Sequence, residues 1–563
     1  MGLVSTMRRL LRRVTCGLAL VLGTAVHAQE PVLFDWFEYR GHDAAFEQPL
    51  PPGHYYNPVL TGFSPDPSVV RVGDRYYLVN SSFVYFPGLP VYESRDLVHW
   101  ALIGHVIDRP SQVKLDGQGM SRGLYAPAIS HHDGTFYVIN TSVDSGGNFI
   151  ATATNPAGPW SDPVWLPGLA GGIDPSLFFD DDGKAYVVNN GVPEGGSRYD
   201  GHRAIWMQEF DLRQHALVGP RRVLLDGGVD PATKPIWIEG PHVYKRDGWY
   251  YLMCAEGGTG PQHSEVVLRS RAVWGPYTPY SGNPTLTQRD LPSDRNQPIV
   301  NAGHADLVEA QDGSWWAVFL ASRAYDRVHY NTGRETFLLP VTWKDGWPSI
   351  LPKGKAVPQV VKGPALLARE TQAPHSGNFT WRDDFDKPAL DASWMFVRTP
   401  AQPWTDLRAH PGQLAIHPQA DDLDTLHNPS FLARPQQHLA FDASTQLVAP
   451  VQANVEAGLA AFQNEHYWYA FGIHREGQQW LLTVRRHRGA DSAVLATATL
   501  AKAPQHLQLK ISGDGGRYGF AYDEGAGWQW LLRDVDGTVL STDVAGGFVG
   551  TTLGPYARLL HQP

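Results

Sequence analysis

The sequence predicts an all-β protein, a five-bladed β-propeller followed by a β-sandwich. Three observations predict it. Five similar segments recur, headed by Asp66, Ala126, Asp174, Glu239 and His304, at intervals of 60, 48, 65 and 65 residues. Each runs from a polar or proline-marked head into apolar residues, meets an Asp-Gly or Gly-Asp turn, and closes on an aromatic, β-branched stretch, the pattern of a tight hairpin. No long amphipathic helix interrupts them, and 19 Trp, 23 Tyr, 22 Phe, 57 Gly and 44 Pro suit strands joined by frequent turns.

In chain order, residues 1–28 read as a secretory signal peptide. Arg8, Arg9, Arg12 and Arg13 form a basic start, an apolar run covers 14–26, and Val26-His27-Ala28 resembles a cleavage site. The run falls short of the roughly 20 residues that span a bilayer, so the expected location is secreted or periplasmic. Loss of the leader takes the formal charge from −10 to −14, because it holds four Arg and no acid. That argues against nucleic acid or an anionic membrane as partner. It also removes Cys16 and leaves Cys254 alone, which excludes an internal disulfide and a cysteine-based metal site. In YYLMCAEGG, Cys254 reads as core.

Residues 29–56, aromatic and Pro-rich, are expected to drape over the first domain as a lead-in. Residues 57–350 hold the five hairpins, and 351–378, with scattered Pro, Gly and Lys, read as a linker. From 379 to 563 a second set of alternating strands gives a β-sandwich of about 180 residues.

The propeller gives the heads their meaning. Innermost strands start at the central axis, so equivalent heads form a ring around one funnel, here Asp, Ala, Asp, Glu, His. Three acids so gathered repel one another and raise each other's pKa values, which a purely structural ring would seldom choose. Glycosidic hydrolysis needs one group to protonate the leaving oxygen and another to activate water or attack directly. Asp66, Asp174 and Glu239 supply that set. A single Asp-Pro or Glu-Gly is more often a turn residue; three at repeat positions are not. His304, in NAGHADLVEA, suits orienting a carboxylate, bonding a sugar or approaching a metal, with a satisfied structural histidine as the plainer reading. Arg334, in YNTGRETFLLP, would lower the pKa of a base and grip a hydroxyl, with a solvated loop arginine as the alternative. Asp180-Asp181-Asp182-Gly183 lacks the spaced ligands of a calcium loop and reads as a solvated turn.

The segments SPDPSVV, NSSF, GLYAPAIS, GGIDPSLFFDDDG, IEGPHVYKRDGWYYLM, AGHADLV and GRET resemble, in this order, those of the family 43 glycoside hydrolases. The resemblance implies a five-bladed propeller enzyme that inverts anomeric configuration. It places the general base on Asp66, the pKa-modulating acid on Asp174 and the general acid on Glu239. It sets Phe83 beside the sugar, with His304 and Arg334 near the acids. Tyr125 stands where many β-xylosidases of the family carry Trp, which should alter the sugar subsite. The tail resembles the concanavalin-like β-sandwich of the xylosidase and arabinofuranosidase branch, implied to lend a pocket-closing loop, often with a Phe. In VAGGFVG that position reads Val544, with Phe548 nearby.

The expected function is a secreted, inverting exo-glycosidase releasing pentose, β-D-xylose and/or α-L-arabinofuranose, from xylan- or arabinan-derived oligosaccharides and side chains. No cofactor is required; a calcium ion near His304, as in parts of the family, would be mostly water-bound. The partner is a pentose-containing oligosaccharide or polysaccharide, with no nucleic acid and no membrane. The alternatives are a non-catalytic, lectin-like carbohydrate-binding protein, expected to have lost one of the acids, and a propeller scaffold for proteins, which an acidic, aromatic funnel disfavours. The Arg-Asp-Pro and Glu-Cys motifs of related fructoside hydrolases do not occur.

Overall fold

The hairpin repeats fold into five antiparallel sheets, three of four strands and two of five, each built from one continuous stretch of chain. In the computed structural model, residues 30–169, 171–365, 375–500 and 502–560 are described. The leader at 1–28 and part of the linker (366–374) lie outside them. The innermost strands are Ser68–Val72, Ala128–His132, Ile173–Phe179, Glu239–Arg246 and Ile299–Glu309. Their hairpin turns follow from sequence: Asp133 and Gly134, and again Asp247 and Gly248, are both left-handed (φ 47°, 76°, 51° and 70°). Consecutive left-handed residues match the twist of a two-residue hairpin, and Asp-Gly tolerates them best.

Because no blade borrows a strand, the ring closes by other means. Asn57, in the segment before the first blade, pairs both ways with Leu338 of the fifth: its Nδ2 donates to the Leu338 carbonyl and its Oδ1 accepts from the Leu338 amide, each at 2.9 Å. Nearer the axis, Asp306 of the fifth blade accepts from Ser68 Oγ (2.7 Å) and the Val69 amide (2.9 Å) of the first, and from Tyr244 OH (2.6 Å) of the fourth. Ser68 Oγ accepts in turn from the Ile129 amide of the second. Asp306 is buried, so its removal strands three donors, each costing about 1–3 kcal/mol. Asp306→Ala is expected to destabilise the protein by about 3 kcal/mol or more in denaturant unfolding, and a loss under 1 kcal/mol would contradict its role as the closing clamp.

The sandwich consists of two sheets over a core of Phe34, Trp394, Trp404, Phe471, Leu509, Phe520 and neighbours. Only the later part of the lead-in packs on the propeller, where Tyr55 is buried in the core and donates to the Leu338 carbonyl at 2.7 Å; the earlier part does not. Its strand Val32–Gly41 sits inside one sandwich sheet, between Leu414–Ile416 and Ala440–Leu447, and also pairs Thr380–Asp383. The alternation VLFDWFEYRG explains this correction, since Phe34, Phe37 and Tyr39 are fully buried in the sandwich core. The second sheet ends on a strand from the propeller: Tyr85–Phe86 pairs Met395–Val397. Residues 31–563 therefore form one compact unit, its two domains joined through a shared sheet. Regular helix is confined to Thr542–Ala545 and short 3₁₀ turns among the described residues.

Asp181 and Asp182 are exposed, as a solvated turn requires, but Asp180 is not. Its carboxylate is buried against Lys245 (2.5 Å) and Tyr250 OH (2.8 Å) of the next blade. Cys254 is fully buried in core.

Candidate active site

The five inner strands begin at one cavity of about 650 Å³ lined by Asp66, Ala126, Asp174, Glu239 and His304. Register defines equivalence more sharply than the sequence did. Ser68, Ala128, Ser176, His242 and Asp306 face Val79, Ile139, Val188, Met253 and Val318 of the second strands. The ring positions two residues earlier are therefore Asp66, Ala126, Asp174, Gly240 and His304. Four of them share one left-handed conformation (φ 50°, 50°, 55° and 54° for Asp66, Asp174, Gly240 and His304). Glu239 thus sits one residue ahead of the ring rather than in it. Gly240 takes the ring position for a physical reason: a Cβ there would lie 2.9 Å from the His304 imidazole. Aligning the X-Pro pairs Asp66-Pro67, Ala126-Pro127, Asp174-Pro175 and Gly240-Pro241 carries this signal.

The three acids are buried and unlike one another. Asp66 accepts from Arg334 Nη1 (2.8 Å) and Nη2 (3.3 Å) and from Ser81 Oγ (2.5 Å), with His304 Nδ1 3.9 Å away. Burial alone would raise its pKa. The Arg334 guanidinium, with His304 and the Ser81 hydroxyl, outweighs burial and holds Asp66 below the usual carboxylate range. Asp174 is pushed up to about 7, by burial first and the Asp66 charge second, although the Gly240 amide donates to it at 3.2 Å. Glu239 is driven well above its ordinary value by burial, then by Asp174 and Asp66. One cavity therefore offers an ionised carboxylate and a protonated carboxylic acid, the pair needed to activate water and to protonate a leaving oxygen. Burial lowers His304 to about 4, so its imidazole is neutral near pH 7.

This arrangement has a cost with a definite sign. Asp174 keeps its proton up to about pH 7 when folded but ionises near 3.8 unfolded. Between those values the unfolded chain binds fewer protons, so stability falls as pH rises. Asp174→Asn removes that slope. Its thermal midpoint is expected to match wild type near pH 4 and exceed it by a few degrees at pH 7.5, about 2–4 kcal/mol; a variant less stable than wild type at pH 7.5 would refute the assignment.

The remaining sequence-derived residues, Phe83, Tyr125 and Arg334, line the same cavity. Phe83 is left-handed (φ 50°) and bonded both ways to Leu124, which sets Tyr125 beside it. The Phe83 and Tyr125 rings lie 5.4 Å apart, and Tyr125 OH donates to the Ser121 carbonyl at 3.1 Å. The third aromatic wall comes from the sandwich, and it is Phe548 rather than Val544. Phe548 stacks on Phe83 at 5.8 Å and accepts at its carbonyl from Arg334 Nε and Nη2, both at 3.3 Å. Val544 lies in the short helix Thr542–Ala545, half-buried and off the cavity. Left-handed Gly546 and Gly547 (φ 75° and 82°) turn the chain so that the Phe548 amide reaches Ser121 Oγ at 2.8 Å. Close backbone approach then fixes Arg334: a Cβ on Gly333 would meet Gly550 Cα at 2.7 Å, and one on Gly550 would meet the Thr332 carbonyl at 2.6 Å.

The sequence reading missed Arg122, Arg203 and Trp237, which also line the cavity. They lie on loops outside the repeated hairpins, where periodicity gives no signal. Among the described residues no group of three or more His, Cys, Asp or Glu is arranged to hold a metal ion.

Comparison with known proteins agrees with this geometry. The model of glycosyl hydrolases family 43 matches residues 55–348, and that of the beta xylosidase C-terminal concanavalin A-like domain matches residues 382–562. The chain is 39% identical over 510 residues to a xylosidase/arabinosidase of Butyrivibrio fibrisolvens, covering 89% of this chain and 95% of that protein. It is 39% identical over 516 residues to the non-reducing end alpha-L-arabinofuranosidase BoGH43B of Bacteroides ovatus, covering 89% and 91%. A solved structure described as a GH43_12 retrieved from capybara gut metagenome superposes with a TM-score of 0.88 at 39% identity, covering 94% of this chain and 99% of that one. The ring of acids and these matches across both domains lead to one conclusion: the chain belongs to glycosyl hydrolases family 43 and is a glycoside hydrolase.

Proposed function

We propose that this enzyme is an inverting exo-glycosidase that releases a terminal pentose, β-D-xylose or α-L-arabinofuranose, from xylan- or arabinan-derived oligosaccharides. The observation that carries the reading is the split between Asp66, held ionised by Arg334, and Glu239, held protonated by burial. Asp66 takes a proton from water as the water oxygen bonds the anomeric carbon. Glu239 gives its proton to the glycosidic oxygen as that bond breaks, and the products are the inverted sugar and a free hydroxyl on the leaving group. Asp174 bonds the Gly240 amide, which fixes the turn carrying Glu239, and its proximity keeps the Glu239 pKa raised.

Exo-action is supported by the aromatic wall of Phe83, Tyr125 and Phe548, which closes the cavity on the Asp66 side. The names of the relatives, xylosidase/arabinosidase and alpha-L-arabinofuranosidase, support the pentose. The basic and apolar leader at 1–28 supports action outside the cytosol. The test compares kcat/KM on 4-nitrophenyl β-D-xylopyranoside and 4-nitrophenyl α-L-arabinofuranoside, with NMR of the first-formed anomer from a xylo-oligosaccharide. Turnover of at least one aryl pentoside with inversion is expected. A folded enzyme inert on both, or one that retains configuration, overturns the reading.

A further inference from the structure

The cavity wall around Glu239 carries a cation that the hydrolytic step does not use. Arg203 lines the cavity with its guanidinium 4.3 Å from the centre of the Trp237 ring. The other two arginines of the cavity are neutralised: Arg334 by Asp66 and Arg122 by Asp144 (2.6 and 2.8 Å). Arg203 forms no ion pair among the described residues, and the cavity acid it acts on is Glu239. With Glu239 protonated, the wall bears one uncompensated positive charge on a chain whose formal net charge is −10.

The placement is built. His202, next to Arg203, is fully buried and bonds Asp226 at 2.8 Å, which also pairs Arg198 at 2.9 Å. The Trp237 amide donates to the Gly201 carbonyl at 2.8 Å, and a Cβ on left-handed Gly201 (φ 73°) would lie 2.8 Å from Ile236. The loop and the Ile236-Trp237 turn are thus locked together, and Arg203 is held over the indole, its Cζ 4.3 Å from the ring centre. Base and acid act from opposite faces of the bond being cleaved, so the leaving group departs on the Glu239 side. Arg203 and Trp237 come from the third and fourth blades, on that side; Phe83, Tyr125 and Arg334 come from the first, second and fifth.

We infer that Arg203 and Trp237 form the leaving-group subsite and that this subsite selects a sugar bearing a carboxylate, a uronic-acid-substituted pentose oligosaccharide. A planar guanidinium, pre-oriented by stacking, suits bidentate capture of a carboxylate, and the adjacent indole suits the apolar face of a sugar ring. The inference rests on the proposed pentosidase activity.

The test is the ratio of kcat/KM on a xylo-oligosaccharide carrying one glucuronic acid next to the cleaved bond to that on the same oligosaccharide without it. Arg203→Gln is expected to lower this ratio by about 10–100-fold, the worth of a charge-assisted hydrogen bond. Arg203→Lys, which keeps the charge, should recover part of it. In wild type, added salt should raise KM for the acidic substrate more than for the neutral one. A ratio within threefold of wild type in Arg203→Gln, or equal salt effects on both substrates, overturns the inference. Aryl pentoside turnover by the same preparation separates the two readings: its absence sinks the pentosidase activity, whereas its presence with no charge dependence sinks only the subsite.

Discussion

Asp66→Asn is expected to lower kcat/KM by about 10²–10⁴-fold on oligosaccharides and on aryl pentosides alike. The loss is independent of the leaving group because it falls on the attack of water, which both substrates need. Asn has no basic oxygen to take the proton. The change also strips Arg334 of its charge partner in a buried site, so the guanidinium held at 2.8 Å from Asp66 loses its anchor. A strong added nucleophile such as azide should restore part of the turnover, since it needs no base. Residual activity above about one tenth of wild type would remove Asp66 as base.

Glu239→Gln should behave differently. On oligosaccharides, whose leaving group is an alcohol, the loss should reach about 10²–10⁴-fold. On 4-nitrophenyl pentosides it should be far smaller, because nitrophenolate departs without protonation. The pH profile supplies a second signature. In wild type the alkaline limb follows loss of the Glu239 proton, which burial and then the charges of Asp174 and Asp66 hold well above the usual carboxylate range. The acidic limb follows protonation of Asp66, below the usual carboxylate range. On the aryl substrate the variant should lose the alkaline limb and keep the acidic one. Equal losses on both substrates would show that Glu239 does not protonate the leaving group.

What the sequence disclosed, and what it hid, follows from how local each signal is. The hairpins are local: strand, Asp-Gly turn and strand lie within about 15 residues, so five blades and the ring residues Asp66, Asp174 and His304 were legible. Glu239 was legible as an acid of the site but not in its register, because the constraint on Gly240 comes from His304 in another blade. The strand Val32–Gly41 has a clear alternating pattern, yet nothing in it names partners that lie hundreds of residues away. The choice of Phe548 over Val544 was out of reach for the same reason: its place depends on Ser121, Gly333 and Arg334, all in the propeller. Arg203 and Trp237 lie on loops outside the repeated hairpins, and the contacts of Gly201 with Ile236 and Trp237 bring them together.

The strand Val32–Gly41 also sets a schedule for biosynthesis. It leaves the ribosome early, but its first partner in the chain, Thr380–Asp383, is made more than 300 residues later. At typical elongation rates the delay is roughly 20–70 s. Throughout it, an aromatic β-forming segment stands unpaired beside a propeller whose blades can complete one by one as they emerge. The sandwich, the Phe548 wall and hence the finished cavity can assemble only after the strand Thr552–Leu559 is made, so the growing chain is catalytically incomplete until then.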